Sequence, residues 1–204
     1  VRVARLEDRV GNVKVTGDMR LRYRDQAHKA GDTNNENSKF DARARIQFNA
    51  KVNDRTDAVV RLASDNFEFG DASHGSNVGV SVDRAYVNHK FGERVSVKAG
   101  RFGQVVGGGL AFDGTFDGAQ FNAGNDKVNF QAAYGYGVSG AFDQATNTNP
   151  ELVVLNLNGK VGKHVNAGGF YTRVNGEDLQ LGGKAVKNIY GFNADANFDK
   201  VWVG

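Results

Sequence analysis

The chain has 204 residues, 26 basic against 23 acidic, for a formal net charge of +3, and no cysteine. That length fits one sizeable domain. The missing cysteine excludes disulfides, thiolate chemistry and cysteine-ligated metals, and the mixed charge gives no footing for nucleic acid as a partner. With 27 glycines, a single proline (Pro150) and apolar runs as short as Leu152-Val153-Val154-Leu155, no segment reaches the roughly 20 residues that a membrane-spanning helix needs.

At the start of the chain, Val3, Leu6, Val10 and Val13 are spaced three, four and three apart. This is the spacing of a coiled-coil seam, although a plain linker explains so short a stretch equally well. Residues 1–12 therefore read as the end of a stalk or linker, and 13–204 as the main domain. From Val13 the apolar period becomes two. Val13, Val15, Met19, Leu21 and Tyr23 alternate with Lys14, Thr16, Asp18, Arg20, Arg22 and Arg24. After a polar stretch at 26–37 the alternation returns in its clearest form. Phe40, Ala42, Ala44, Ile46, Phe48, Ala50 and Val52 are apolar, while Asp41, Arg43, Arg45, Gln47, Asn49 and Lys51 between them are polar. Successive side chains of a strand point to opposite faces, so each segment predicts a strand with one apolar and one wet face.

Further along, weaker alternation predicts strands at 57–65, 80–91, 95–101, 118–123, 152–161 and 165–174, and stronger alternation at 128–136 and 190–198. The connections fall into two classes. Residues 26–37, 66–79, 102–117, 138–150 and 175–187 read as long polar or Gly-rich loops; 53–56, 92–94, 124–127, 162–164 and 199–200 read as short turns. Long and short alternate through ten predicted strands, and Val201-Trp202-Val203-Gly204 begins an eleventh.

The predicted fold class is all-β: an antiparallel up-and-down transmembrane β-barrel. Residues 40–52, at about 3.3 Å each and tilted by about 40°, are long enough to cross the apolar part of a bilayer. Apolar-face aromatics gather near strand ends, with Tyr23, Phe40, Tyr136 and Tyr190 toward the long loops and Phe48, Phe130 and Phe198 toward the turns. Such girdles mark the two membrane interfaces of a barrel. A soluble antiparallel sandwich would also alternate, but with its apolar face inward. The strand lengths oppose it, as do the arginines of the wet face, which would cost about 2–4 kcal/mol each if turned to mid-membrane lipid.

The stretches Arg84-Ala-Tyr-Val-Asn-His-Lys-Phe-Gly92, Val95-Ser-Val-Lys-Ala-Gly-Arg101 and Gly107-Gly-Gly-Leu-Ala-Phe-Asp-Gly-Thr-Phe-Asp-Gly118 together resemble the middle of a general bacterial outer-membrane porin. There an AYV strand is followed by a GR strand and by a loop that folds into the pore. The opening from Val3 to Tyr23 is similar to a narrower group, the SLH-domain (OmpM-type) porins, in which a stalk leads straight into the first strand. The resemblance implies a homotrimeric barrel, commonly of about sixteen strands, embedded in outer-membrane lipid (LPS and phospholipid). It would pass small hydrophilic solutes and ions by passive diffusion, with no cofactor. It also implies a domain preceding residue 1 that grips a peptidoglycan-linked polymer and tethers the membrane to the cell wall. Ten strands and the start of another then lead to the expectation of a chain truncated before its last strand; a closed ten-stranded barrel ending near Phe198 is the competing expectation.

By the same resemblance, loop 102–117 is the pore constriction; Gly107, Gly108 and Gly109 belong to it, and Asp113 and Asp117 are its candidate acids. Arg20, Arg22, Arg43, Arg45 and Arg61 are the pore-lining bases by parity, and their excess over nearby acids leans the channel toward anions. Opposed charges across a constriction set up a field that sorts charged solutes. The alternative is that both acids are turn residues beside glycines. Strict parity with Val95, Val97 and Ala99 puts Arg101 on the apolar face, unless a bulge at Gly100 turns it inward or it lies at the membrane interface. Small wet-face residues (Ala133, Gly135, Gly191) are expected to leave the lumen open.

Two other classes stay in view. For a barrel hydrolase, His28 and His74 fall in long loops, His164 in a turn and His89 on the apolar parity of its strand, and no HExxH, G-x-S-x-G or P-loop occurs. No metal-ligand cluster is visible, although the loop acids Asp32, Glu36, Glu68 and Asp71 are of a type that binds calcium. A structural anchor would be marked by an upstream wall-binding domain, and an adhesin would act through 26–37, 66–79 and 138–150.

Overall fold

A computed structural model describes the backbone at residues 12–30, 33–69, 78–109, 111–139, 150–162, 164–178, 183–198 and 201–203; side chains are described at 12–25, 38–69, 78–109, 111–138, 150–162, 164–176 and 186–196. The strands are β1 (Val13–Ala30), β2 (Thr33–Asn53), β3 (Thr56–Ser64), β4 (Phe67–Glu68), β5 (Val80–Lys90), β6 (Val95–Val106), β7 (Phe112–Gly124), β8 (Val128–Ser139), β9 (Glu151–Val161), β10 (Val165–Asp178), β11 (Gly183–Phe198) and β12 (Val201–Val203). Among the described residues a 3-10 turn at Gly107–Gly109 is the one helical element. Strand order follows chain order, β1-β2-β3-β5-β6-β7-β8-β9-β10-β11-β12, with β4 alone off the path and paired to β2. This is the expected all-β, antiparallel, up-and-down sheet, with ten long strands and the short β12 after them.

The short turns fall where the sequence places them. Most of the long loops do not. Pairing of β1 with β2 continues to Ala30↔Thr33, β10 pairs with β11 as far as Asp178↔Gly183, and β6 pairs with β7 as far as Val106↔Phe112. Segments 26–37, 102–117 and 175–187 are therefore largely strand. An antiparallel ladder needs only backbone donors and acceptors, so it can run past the end of the apolar pattern through Asn, Asp and Gly. The middles of 66–79 and 138–150, and with them His74 and Asp71, lie outside the described residues, as do residues 1–11 and the side chains of His28 and Glu36.

The chain divides into two compact units. The first holds β1, most of β2, residues 59–64 of β3, β4 and the start of β5. Its register sets Met19 opposite Ala44, Leu21 opposite Ala42 and Tyr23 opposite Phe40 on one face. These large apolar side chains stay open to the surroundings, Met19 at 64%, Leu21 at 54% and Ile46 at 49%.

The second unit runs from Tyr86 onward, with Val52–Ala58 added. Its outward face can be read row by row from the ladders. The row Phe121, Ala132, Leu155, Tyr171, Tyr190 lies next to Ala123, Phe130, Leu157, Gly169, Phe192. Phe192 is 92% and Tyr190 78% exposed. A soluble domain buries such rows, whereas contiguous exposed apolar surface marks a membrane or partner surface. Toward the loop end the same face turns polar, through Asp117, Tyr136, Glu151 and Asn175. The Tyr134 hydroxyl donates to Glu151 there, and the Asn175 amide donates to the other Glu151 oxygen at 3.1 Å.

Replacing Leu157 by Arg should lower the unfolding free energy of the bilayer-inserted protein by about 2–4 kcal/mol, read from urea titration in liposomes. Asn156→Arg, one residue away on the other face, should change it by less than about 1 kcal/mol. Equal losses at the two positions would invert the assignment of faces.

Candidate functional site

The wet face of the first unit is built by the period of two on β1 and β2. Their ladder brings Arg22 opposite Asp41, Arg20 opposite Arg43 and Asp18 opposite Arg45. Asp41 is fully buried and accepts from two guanidiniums, Arg22 at 3.0 Å and Arg24 at 2.7 Å. Asp18 is held by Arg45 through Nε at 2.9 Å and a second nitrogen at 2.8 Å. From β3, Arg61 reaches Asp83 of β5 with the same two-pronged geometry, at 2.8 and 2.6 Å. Paired forks of this kind fix both groups in orientation.

Six guanidiniums (Arg20, Arg22, Arg24, Arg43, Arg45, Arg61) thus share this face with three carboxylates (Asp18, Asp41, Asp83), and all but Arg43 pair with one of them. Arg20 hydrogen-bonds Asn66 at 2.7 Å and stands 4.0 Å from the already shared Asp41. The five arginines expected from parity, Arg20, Arg22, Arg43, Arg45 and Arg61, lie in this one unit. Arg24 belongs with them through Asp41, and the acids that organise them were not singled out by parity.

The second unit carries a different device. On β6 and β7 the even-numbered residues Phe102, Val106, Phe112 and Phe116 are buried. They form one cluster with Ala111, Ala133, Leu152, Val154 and Val174. Leu152, Val154 and Val174 belong to the wet-parity face of β9 and β10. The end of the β6–β7 hairpin therefore lies over that face. Its bend is made by Gly107, Gly108 and Gly109, with φ of 60°, 64° and 92°, the left-handed region that glycine enters without strain. A Cβ on Gly107 would come within 2.5 Å of the Phe170 ring, so glycine there also permits contact with β10.

The two expected acids separate. Asp113 is exposed and sits opposite Val105, itself 53% exposed, on the side of the hairpin turned away from the cluster. Asp117 is in the regular ladder opposite Arg101, which donates to its two oxygens at 2.7 and 2.6 Å. Gly100 has a positive φ of 123°, yet the register runs unbroken through Gly100↔Gly118, and Arg101 keeps the parity of Val95, Val97 and Ala99. The pair with Asp117 is what accompanies a cation on that face.

The small wet-face residues are not open space. Ala133 is 5% exposed, a Cβ at Gly191 would meet the Phe170 ring at 2.7 Å, and one at Gly135 would meet the Asp117 carbonyl. They make room for rings and for close backbone approach. Toward the short turns the wet face becomes an amide surface of Asn122, Gln131, Asn129, Asn156, Asn158, Asn166 and Asn193, with Asn158 donating to Asn156 at 3.2 Å and accepting from Asn193 at 3.4 Å. Elsewhere, His89 hydrogen-bonds Thr56 at 2.9 Å, and Glu68 pairs with Lys39 at 3.0 Å. Among the described residues no three His, Cys, Asp or Glu side chains come together as metal ligands.

Residues 27–153 match the model of a family described as "Putative porin". The chain belongs to this porin family. No curated protein matches it. A solved structure described as "Salmonella typhi OmpF complex with Daunomycin" aligns at 11% identity over 92% of this chain and 75% of that one, with a TM-score of 0.44. The matched segment of the porin begins within β1, after Arg24, and ends within β9, and so takes in Asp41, Arg43, Arg45 and Arg61 of the arginine face and the whole β6–β7 hairpin.

Phe112→Ala should cost about 3 kcal/mol of stability and speed proteolytic cleavage of the porin at 107–111. A variant with unaltered unfolding and cleavage would show that the hairpin end is not held by this cluster.

Proposed function

We propose that this porin forms a water-filled outer-membrane channel for passive diffusion of small hydrophilic solutes, with the wet faces of β1–β11 as its lining. One observation carries the reading: large apolar side chains are exposed along one face of the β1–β2 and β7–β11 ladders, while the other face carries ion pairs in the first unit and, toward the short turns, amides in the second. A bilayer outside and water inside satisfy both faces at once. No chemistry on a bound substrate is needed, and the chain is read as a channel and not an enzyme.

Within that reading the β6–β7 hairpin is the constriction, bent at Gly107, Gly108 and Gly109, with Asp113 as the acid on its open side. Asp117, held by Arg101, serves the wall. Arg20, Arg22, Arg43, Arg45 and Arg61 line the passage. Assembly as a homotrimer among LPS and phospholipid, closure with about sixteen strands and tethering to a peptidoglycan-linked polymer by an N-terminal domain are further parts of the proposal. They are supported by the sequence resemblance alone.

The test is single-channel recording of the full-length, detergent-purified protein in a planar bilayer. Stepwise ohmic openings are expected, and a silent bilayer with insertion confirmed independently would favour an anchor or adhesin. Excising 104–114 and joining Gly103 to Thr115, which already face each other in the ladder, through an Asn-Gly turn should raise the unit conductance. An unchanged value would move the constriction elsewhere.

A further inference from the structure

The charges of the β1–β2 wet face do not cancel locally, and the residue at which they fail to cancel is Arg43. Its neighbours are satisfied: Asp18 is engaged by Arg45, and Asp41 by Arg22 and Arg24. Arg43 has no ion pair among the described residues, and the ladder places it opposite another arginine, Arg20. The Nε atoms of both Arg20 and Arg43 are shielded from solvent and meet no acceptor. Like charges directly opposite on one face repel, and a guanidinium presents a planar fork matched to two oxygens of one anion. Two such forks stand side by side on a wet face, Arg43 with no carboxylate partner among the described residues and Arg20 only 4.0 Å from the shared Asp41 and bonded to Asn66; together they form a receptor for an oxyanion.

We infer that Arg20 and Arg43 form a binding step for small oxyanions, inorganic phosphate or a short carboxylate, which the channel passes in preference to cations. The inference rests on the reading of this face as pore lining. Phosphate groups of lipid offer the same chemistry, but a wet-face site takes its anion from solution.

Binding is measured by calorimetry with inorganic phosphate on the full-length protein in a maltoside detergent, which contains no phosphate. Conductance is measured separately, with phosphate added to a chloride electrolyte. Saturable binding is expected in the wild type, weakened about tenfold in Arg43→Gln and in Arg20→Gln, since a charge-assisted hydrogen bond is lost. Arg43→Lys should retain only part of the affinity. Lys14→Gln, which removes a charge from the same β1 face away from the pair, should bind as the wild type does.

In bilayers, phosphate should reduce the chloride current of the wild type saturably, and of Arg43→Gln only at about tenfold higher concentration. No binding by correctly folded wild-type protein in maltoside, or binding that appears only when lipid is supplied, overturns the site. Equal weakening by Lys14→Gln and Arg43→Gln overturns it too, since a diffuse field would then suffice. Phosphate binding by a protein that never conducts would keep the site and remove the channel reading.

Discussion

A chain lying in lipid has no water to complete its backbone hydrogen bonds, so each strand must find its donors and acceptors in its neighbours. Everything else in this molecule follows from meeting that demand with antiparallel ladders. Once the backbone is committed to them, side chains can only alternate, and sequence decides which face is apolar. Leu21, Ile46, Leu157 and Phe192 then stand exposed without penalty, and Arg22, Arg45 and Asn158 collect on the opposite face. The ladders also explain why strands outrun the apolar pattern. Pairing continues to Ala30↔Thr33 and Asp178↔Gly183 because nothing about Asn, Asp or Gly removes the backbone groups that hold it.

How well the sequence could be read varied with how local the cause was. The run Phe40–Val52 declares its faces residue by residue, and strand count, order and short turns were all legible from such runs. Loop lengths were not, because composition reports solvent contact and not pairing. Within the hairpin, Phe102, Phe112 and Phe116 have wet-face parity, and only packing against Leu152, Val154 and Val174 from distant strands accounts for them. A signal did exist in Leu152-Val153-Val154-Leu155, where both parities are apolar and the face expected to meet water cannot do so. Asp117 resembled a loop acid only because segment 102–117 resembled a loop; its ladder position opposite Arg101 could be known only once the register was.

The two units use different wet chemistry. The first places guanidiniums and carboxylates close together, giving orientation and a strong local field. The second places amides along β7–β11, which hydrate a wall without imposing a sign. Family membership makes both part of one porin. On the proposed reading, electrostatic discrimination falls to β1–β3 and steric discrimination to the β6–β7 hairpin, so that either can change in evolution without remaking the other.

The polar row at the loop end of the outward face, where Asp117, Tyr136, Glu151 and Asn175 succeed one another across β7–β10, works as a draught line. Rows on one side of it are comfortable in hydrocarbon and the row itself is not, so immersion of this part of the molecule stops there to within about one residue, roughly 3.3 Å of strand. A membrane thicker than the apolar rows must thin locally to meet the line, and a thinner one must swell. The depth at which this porin floats is therefore set by a few hydrogen-bonded side chains, and lengthening the apolar band by one row should move the whole waterline.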